Sequence, residues 1–244
     1  VKSLMKNKLV KEVIVIDDKS FDNTVKEAKE SGATVVTSTE IGKGASMRDG
    51  LLVSKGEIVV YIDGDVEEYG SELIQKLTAP LVANEADFVK ATFTRKAGRV
   101  TELVAKPLLS ILFPELANFC QPLSGMIAGK RNFLEKIVFE NDYGVDIGIL
   151  IDMFFLGARI KEVTLGEIQH KMKSWRQLGQ MSREVSRAIL KRASRAKLAN
   201  LEGLEMISIL RDQMEFSIKE ALLEMKKIIV FDMDNTILNG SFID

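Results

Sequence analysis

The sequence has few of the residues that build disulfides and metal clusters. It contains one cysteine, Cys120, and one histidine, His170, among 244 residues. A single cysteine excludes an internal disulfide and fits a reducing cytoplasm, which is where we expect the protein to be located. We expect Cys120 itself to be a small buried apolar residue.

Long apolar runs and a strong excess of one charge are also missing. No stretch reaches eighteen apolar residues, so the sequence predicts no integral membrane segment. No secretory signal pattern precedes the first predicted strand. The formal net charge of −1 gives no general attraction to nucleic acid, and the basic residues between 183 and 197 are most simply a solvated helix face. Any anion that the protein binds must therefore be held by local groups.

What the sequence does contain is a regular alternation of short apolar strands and helical segments. The predicted strands are Glu12–Asp17, Ala33–Thr37, Ile58–Ile62, Asp87–Thr94, Met126–Gly129 and Ile160–Leu165. The predicted helices are Thr24–Ser31, a helix through Leu52 that the loop Ile41–Ala45 opens, Ser71–Val82 with an interruption at Pro80, Thr101–Leu112, Asp146–Phe155 and Ser174–Lys227. This order predicts an α/β fold with a mostly parallel, Rossmann-like sheet flanked by helices, and a helical C-terminal extension that could pair with a second copy as a homodimer.

The strand Ile58–Ile62 ends abruptly in Asp63-Gly64-Asp65. Open α/β sheets place their ligands at the carboxyl ends of strands, and Gly64 lets the backbone turn there without a Cβ clash. A divalent cation carrying a diphosphate is the ligand that two such carboxylates match best. An isolated Asp-x-Asp is also typical of an ordinary solvated turn, and this alternative stays open.

Two further polar groups follow neighbouring strands. Asp17 and Asp18 end the first strand, and the sequence Gly42-Lys43-Gly44 lies in a later loop. A carboxylate accepts the imide N–H of a uracil ring, and a lysine between glycines reaches a base or a phosphate. We therefore expect these groups to share one cleft with Asp63, although Gly-Lys-Gly alone is usually a tight turn.

These segments carry a resemblance to a known family. Val-Ile-Asp-Asp-Lys-Ser-Phe-Asp-Asn-Thr, Gly-Lys-Gly-Ala-Ser-Met and Val-Val-Tyr-Ile-Asp-Gly-Asp resemble the nucleotide-sugar half of GT-A fold glycosyltransferases. The segments 98–109, 121–125 (Gln-Pro-Leu-Ser-Gly) and 143–148 (Tyr-Gly-Val-Asp-Ile-Gly) are similar to glucosyl-3-phosphoglycerate synthases. The resemblance covers about Lys11 to Leu190.

The resemblance implies a retaining, metal-dependent transfer of glucose from a nucleoside diphosphate sugar to 3-phosphoglycerate, with Mg²⁺ or Mn²⁺ as the cofactor. The residues it implies for the metal are Asp65 and His170, and those for the nucleotide sugar are Asp18, Lys43, Asp63, Gly64 and Leu123. The residues it implies for the acceptor are Gly98, Arg99 and Thr101, and those for catalysis are Asp146, Tyr143 and Lys43.

The residues themselves leave alternatives open for two of these assignments. Thr101 is predicted to open a helix whose free N–H groups favour an anion, with Arg99 as a bidentate donor beside it. The alternative is a helix cap with a surface arginine. A single histidine such as His170 is more often structural than a ligand, but this one follows a strand and has no apolar neighbours that require it.

The sequence also departs from the family pattern. Met126 and Asp146 stand where the family usually has glutamate, and Met172 and Lys173 replace an expected asparagine and arginine. These differences make the acceptor a weaker prediction than the donor. The first strand of the fold, with its Pro-x-x-Asn-Glu nucleotide contact, is absent, so we expect this fragment to bind nucleotide weakly.

A second motif lies near the end of the sequence. Lys227–Ile237 resembles the first motif of haloacid dehalogenase-type (HAD) phosphatases, in which Asp232 would be the nucleophile and Asp234 the acid/base. The rest of such a site would lie beyond Asp244, so we expect a fragment of a longer protein that cannot itself act as this phosphatase. The predicted domains are a GT-A domain over 1–173, a helical extension over 174–225 and the start of a phosphatase domain over 226–244.

Two rival functions remain at this stage. A related transferase would use mannose or a lipid-phosphate acceptor. A different class of protein would be a HAD phosphatase whose transferase-like part serves only for binding. Turnover with a panel of nucleotide sugars separates these hypotheses.

Overall fold

The structure is a computed structural model that describes residues 1–64, 72–94, 98–167 and 174–195. The α-helices are α1 (Lys2–Met5), α2 (Thr24–Glu30), α3 (Lys43–Val53), α4 (Leu73–Val82), α5 (Lys106–Leu112), α6 (Arg131–Leu134), α7 (Val145–Phe155) and α8 (Trp175–Arg195). The strands are β1 (Ile14–Asp17), β2 (Thr34–Thr37), β3 (Ile58–Tyr61), β4 (Phe88–Thr94), β5 (Ile127–Lys130) and β6 (Ile160–Glu167). A π-helical turn, Thr101–Ala105, leads directly into α5, and Pro114–Leu116 is a short 3₁₀ turn. The predicted α/β class is therefore confirmed.

The strands form two sheets. β1 and β2 pair in parallel, with Ile14 opposite Thr34. The other sheet has the order β3-β5-β4-β6, in which β4 and β6 are parallel and β5 is antiparallel to both of its neighbours. β3, β4 and β6 consequently run in one direction, and their carboxyl ends lie at the same edge of the sheet.

The core of the larger sheet is covered by α4. Leu73, Leu77 and Leu81 repeat every four residues and are buried, so they form one apolar face of this helix. They pack with buried side chains from β4, from β5 and from the residues just before these strands, namely Ala86, Val89, Ala91, Phe93, Met126 and Ala128. Met126 is fully buried in this cluster, which explains an apolar residue where the family pattern has a carboxylate.

Two predictions, which concern Pro80 and Cys120, are wrong. α4 continues through Pro80 to Val82, because a proline in the last turn removes only one helical hydrogen bond. Cys120 is exposed rather than buried. Its backbone N–H donates to Glu162 Oε2 at 3.1 Å, and the Glu162 carboxylate raises the pKa of its thiol. The predicted mostly parallel fold is confirmed, with β5 as an antiparallel strand within it.

The helix α8 packs against α7 and against the helical segment 101–112. By its internal contacts the chain divides into two compact units, residues 1–199 and residues 200–244. α8 therefore belongs to the first unit, whereas the other predicted domain boundaries stay predictions. Within the described ranges, no helix is both long enough and apolar enough to cross a membrane.

Candidate active site

The side chain of Lys43 is the centre of the candidate site. Its Nζ lies 3.0 Å from Asp63 Oδ1 and 2.8 Å from Asp146 Oδ2. Lys43 begins α3, Asp63 follows β3 and Asp146 lies in the first turn of α7, so three separate segments meet at one ammonium group. Burial disfavours the charge on Lys43, but the Asp146 and Asp63 carboxylates outweigh it and raise the pKa of this lysine above its usual range.

Two glycines bring the start of α3 against the loop that precedes α7. A Cβ on Gly44 would lie 1.6 Å from the Glu140 carbonyl oxygen, so only glycine fits there. In this close approach the backbone N–H of Gly44 donates to the Asn141 carbonyl oxygen at 3.0 Å. Gly42 has φ of 136°, and its N–H donates to Asp18 Oδ2 at 3.1 Å. The predicted meeting of Asp18, the glycine-lysine loop and Asp63 is therefore observed.

The loop 121–125 also contacts the ion pair of Lys43 and Asp63. A Cβ on Gly125 would lie 2.3 Å from Lys43 Nζ and 2.6 Å from Asp63 Oδ1. Leu123, predicted to line the sugar site, is 5% exposed in this loop. A Cβ on Gly64, by contrast, would meet no atom of the described residues within 4 Å.

Lys90 is a buried site residue that the sequence analysis missed. It is fully buried in β4, and its Nζ donates to the carbonyl oxygens of Ser124 at 2.8 Å and of Asp146 at 3.2 Å. Burial away from water lowers the pKa of Lys90 to about 8. The signal in the sequence was a lysine inside an apolar strand, because a buried charge of this kind needs fixed partners.

Asp146 is buried beside these two lysines, with 1% exposure. Its Oδ2 accepts the hydrogen bond from Lys43, while its Oδ1 is buried without a hydrogen-bond partner among the described residues. A buried carboxylate oxygen without a partner is unfavourable, so this atom is available to a donor from a bound molecule.

The predicted acceptor residues lie at the start of the helical segment 101–112. Helical conformation already begins at Arg99, and the Glu102 N–H donates to the Gly98 carbonyl oxygen at 2.9 Å. Thr101 thus does not open the helix as predicted, because Gly98 caps it earlier, and Thr101 is 2% exposed. Arg99 is exposed, and its guanidinium carbon lies 4.4 Å from the centre of the Trp175 ring. Tyr143 is 37% exposed, and its backbone N–H donates to Glu184 Oε2 at 3.2 Å.

An ion-pair network fixes α8 behind the site. Arg192 is 1% exposed and donates to both Asp152 carboxylate oxygens at 2.8 and 2.7 Å, and to Glu140 Oε1 at 2.9 Å. A Cβ on Gly148 would lie 2.8 Å from this guanidinium, so α7 needs glycine at that position. Because the Glu140 carbonyl oxygen also lies against Gly44, the network connects α8 to the start of α3, which carries Lys43.

The predicted metal ligands Asp65 and His170 lie outside the described residues, as do Asp232 and Asp234 of the phosphatase-like motif. Across residues 1–64, 72–94, 98–167 and 174–195, no three histidine, cysteine, aspartate or glutamate side chains form a cluster that could hold a metal ion. Their roles therefore stay predictions.

The sequence is similar to those of known glycosyltransferases. The chain is 38% identical over 206 residues to a glucosyl-3-phosphoglycerate synthase of Petrotoga mobilis, covering 75% of this chain and 63% of that relative. A synthase of the same description from Mycobacterium tuberculosis is 38% identical over 209 residues, covering 75% of this chain and 64% of the relative. The chain thus spans slightly less than two thirds of the length of these relatives.

Solved structures match the fold as well. The crystal structure of the Mycobacterium tuberculosis synthase with Mn²⁺, uridine-diphosphate-glucose and phosphoglyceric acid superposes with a TM-score of 0.72 at 40% identity, covering 76% of this chain and 70% of that one. The predicted GT-A class of fold is confirmed by this match. The model of the family described as "Glycosyl transferase family 2" matches residues 1–141, which is more than half of the sequence. The chain therefore belongs to glycosyl transferase family 2.

Proposed function

We propose that this chain carries the transferase of a metal-dependent, retaining enzyme that moves glucose from a nucleoside diphosphate sugar to 3-phosphoglycerate. The observation that supports this most is the Lys43 ammonium between the Asp63 and Asp146 carboxylates. A related structure of the same fold contains Mn²⁺, uridine-diphosphate-glucose and phosphoglyceric acid. The proposed substrates for this chain are of the same chemical classes.

The donor would lie over the end of β3. The described residues leave room beside Gly64 for a diphosphate next to the Lys43 ammonium, which would stabilise its negative charge. Asp18 remains exposed while it accepts the Gly42 N–H, and we propose that it also contacts the base. Leu123 would contact the sugar through an apolar surface.

The divalent ion would be held by Asp65 and His170. The donor set fits the ion, because carboxylate oxygen and neutral imidazole nitrogen are ligands that Mn²⁺ accepts, and Mg²⁺ accepts the carboxylate and phosphate oxygens. Within the described residues, no atom lies within 4 Å of a Cβ built on Gly64, directly before Asp65, which leaves room there for a bound group. When bound, such an ion supplies positive charge that stabilises the departing diphosphate.

In the proposed reaction, the bond between the anomeric carbon and the diphosphate oxygen breaks. The hydroxyl oxygen of the acceptor bonds to the same face of that carbon, and its proton passes to the departing diphosphate. The unpartnered Oδ1 of Asp146 would accept a hydrogen bond from a hydroxyl of the donor sugar and fix its orientation. Tyr143 is half-exposed in the turn just before α7, and we propose that it contacts the substrates from there.

The acceptor would be bound through its phosphate. Gly98, Arg99 and Thr101 occupy the first helical turn before α5, where backbone N–H groups favour an anion. The Arg99 guanidinium adds two parallel donors that match the oxygens of a phosphate.

The test is product formation by the protein in its full natural length with uridine-diphosphate-glucose, Mn²⁺ and 3-phosphoglycerate, followed by mass spectrometry. NMR of the product should show the anomeric configuration of the donor. Lys43→Met should lower kcat/KM about 100-fold or more, because it removes the charge at the diphosphate. Lys26→Met is the matched control, since Lys26 forms only an exposed pair with Glu30, and it should leave the rate unchanged.

Parallel reactions with guanosine-diphosphate-mannose and with a lipid phosphate separate the rival substrates. An absence of metal-dependent transfer with every donor and acceptor would contradict the proposal. So would full activity of Lys43→Met.

We also propose that Lys227–Ile237 opens a HAD-type phosphatase domain, on the strength of the motif alone. Phosphate release from the phosphorylated glycoside by the protein in its full natural length should stop in the Asp232→Asn variant. Unchanged phosphate release would rule out this role for Asp232.

A further inference from the structure

The single tryptophan of the chain is exposed at an unusual place. Trp175 is the first residue of α8, and 73% of its surface is exposed. Tryptophan normally buries most of its large apolar surface, so an exposed one at a fixed position often marks a binding site.

The backbone around Trp175 is held firmly. The Ser174 Oγ lies 3.0 Å from Gln177 Oε1, which also accepts the Ser174 N–H at 2.9 Å, and the Gln177 N–H donates back to Ser174 Oγ at 3.4 Å. This reciprocal pattern is a capping box, which fixes the first turn of the helix. Further along α8, Val185 and Ile189 are fully buried, and Arg192 is ion-paired to α7. The ring of Trp175 is therefore presented by a rigid element.

The ring contacts one charged group, the Arg99 guanidinium at 4.4 Å. Among the described residues, Arg99 forms no ion pair with a carboxylate. Stacking on the ring uses the face of the guanidinium and leaves its N–H donors free at the edge. An arginine held in this way is oriented for an oxyanion without being neutralised by a protein carboxylate.

We propose that Trp175 is a positioning residue for the acceptor: it holds the Arg99 guanidinium by its face so that the edge receives the phosphate of a small phosphorylated acid. This inference rests on the proposed function, because that proposal places the acceptor phosphate at Arg99. In this proposal, the contact between Trp175 on α8 and Arg99 before α5 helps to select the acceptor. Met172 and Lys173, where the family pattern has other residues, come just before this tryptophan in the sequence.

The first test separates the kinetic constants of the variants. Trp175→Ala should raise the KM for 3-phosphoglycerate about 2- to 10-fold, the range expected for one cation–π contact, with the donor KM and kcat unchanged. Trp175→Phe should restore most of the acceptor affinity, since it retains an aromatic face. Val82→Ala is the matched control, because Val82 is equally exposed, at 73%, on α4.

Either of two kinetic results would overturn the inference. One is an unchanged acceptor KM in Trp175→Ala. The other is a lower kcat and a higher KM for both substrates, together with a lower Tm, which would indicate a merely structural role.

The second test needs no turnover. Because Trp175 is the only tryptophan, intrinsic fluorescence of the wild-type chain reports on this site alone. Titration with 3-phosphoglycerate should change the emission saturably, and titration with uncharged glycerol should not. If the chain transfers no glucose but the emission responds, the proposed function fails while the inference stands. An emission that ignores 3-phosphoglycerate overturns the inference, whether or not glucose is transferred.

Discussion

The buried lysine in β4 should make the stability of the protein increase with pH in an unusual range. Burial lowers the pKa of Lys90 from 10.5 to about 8 in the folded protein. Between these two values the unfolded chain binds more protons than the folded chain, so the free energy of unfolding rises with pH. From pH 7 to pH 9.5 the contribution of this one group is about 2 kcal/mol. Well below pH 8, Lys90 is charged in both the folded and the unfolded chain, and its burial then lowers the free energy of unfolding by the full amount.

The assay is urea unfolding at pH 7, 8, 9 and 9.5, with wild type and Lys90→Met compared at each pH. The difference between the two proteins isolates Lys90 from all other titrating groups, and wild type should gain about 2 kcal/mol relative to the variant across this range. Lys26→Met removes an exposed lysine and should show no such trend. A difference between wild type and Lys90→Met that stays constant with pH would refute the reasoning that this ammonium is buried and charged.

Three other substitutions test the packing around the site. Gly125→Ala places a methyl group 2.3 Å from Lys43 Nζ, so we expect at least about 10-fold weaker binding of uridine-diphosphate-glucose by calorimetry, and unchanged binding would contradict this contact. Asp146→Asn removes one carboxylate from Lys43, and it should lower the free energy of unfolding by about 1–3 kcal/mol in urea and reduce kcat; a fully active variant would exclude Asp146 from catalysis. Arg192→Met leaves the carboxylates of Asp152 and Glu140 without their buried partner and should destabilise the fold by about 3–5 kcal/mol, whereas an unchanged Tm would show that the network is dispensable.

Much of the site could be predicted because its parts are local in sequence. Asp63 follows an apolar run that is easily assigned as a strand, and Lys43 lies between two glycines that mark a close approach of backbones. Ligand sites in open α/β folds lie beyond the carboxyl ends of strands, and both residues come after a strand. Asp146 was predicted as a site residue only from the resemblance to the family. In the structure its Oδ2 lies 2.8 Å from Lys43 Nζ.

The features that were missed depend on contacts distant in sequence. The direction of β5 depends on its two neighbouring strands, and nothing within Ile127–Lys130 specifies it. The partners of Lys90 come from residues 34 and 56 positions away, and those of Arg192 from α7 and the loop before it. The stacking of Arg99 on Trp175 likewise joins two segments that no local pattern relates. A single sequence can mark Lys90 as unusual, but it does not identify the partners in such pairs.

The most direct measurement is an anomalous diffraction map of crystals of the chain soaked with Mn²⁺ and uridine-diphosphate-glucose. We expect one manganese peak coordinated by Asp65 and His170, with the diphosphate within hydrogen-bond distance of Lys43 Nζ. A manganese ion bound elsewhere, or a nucleotide bound away from the end of β3, would contradict the account.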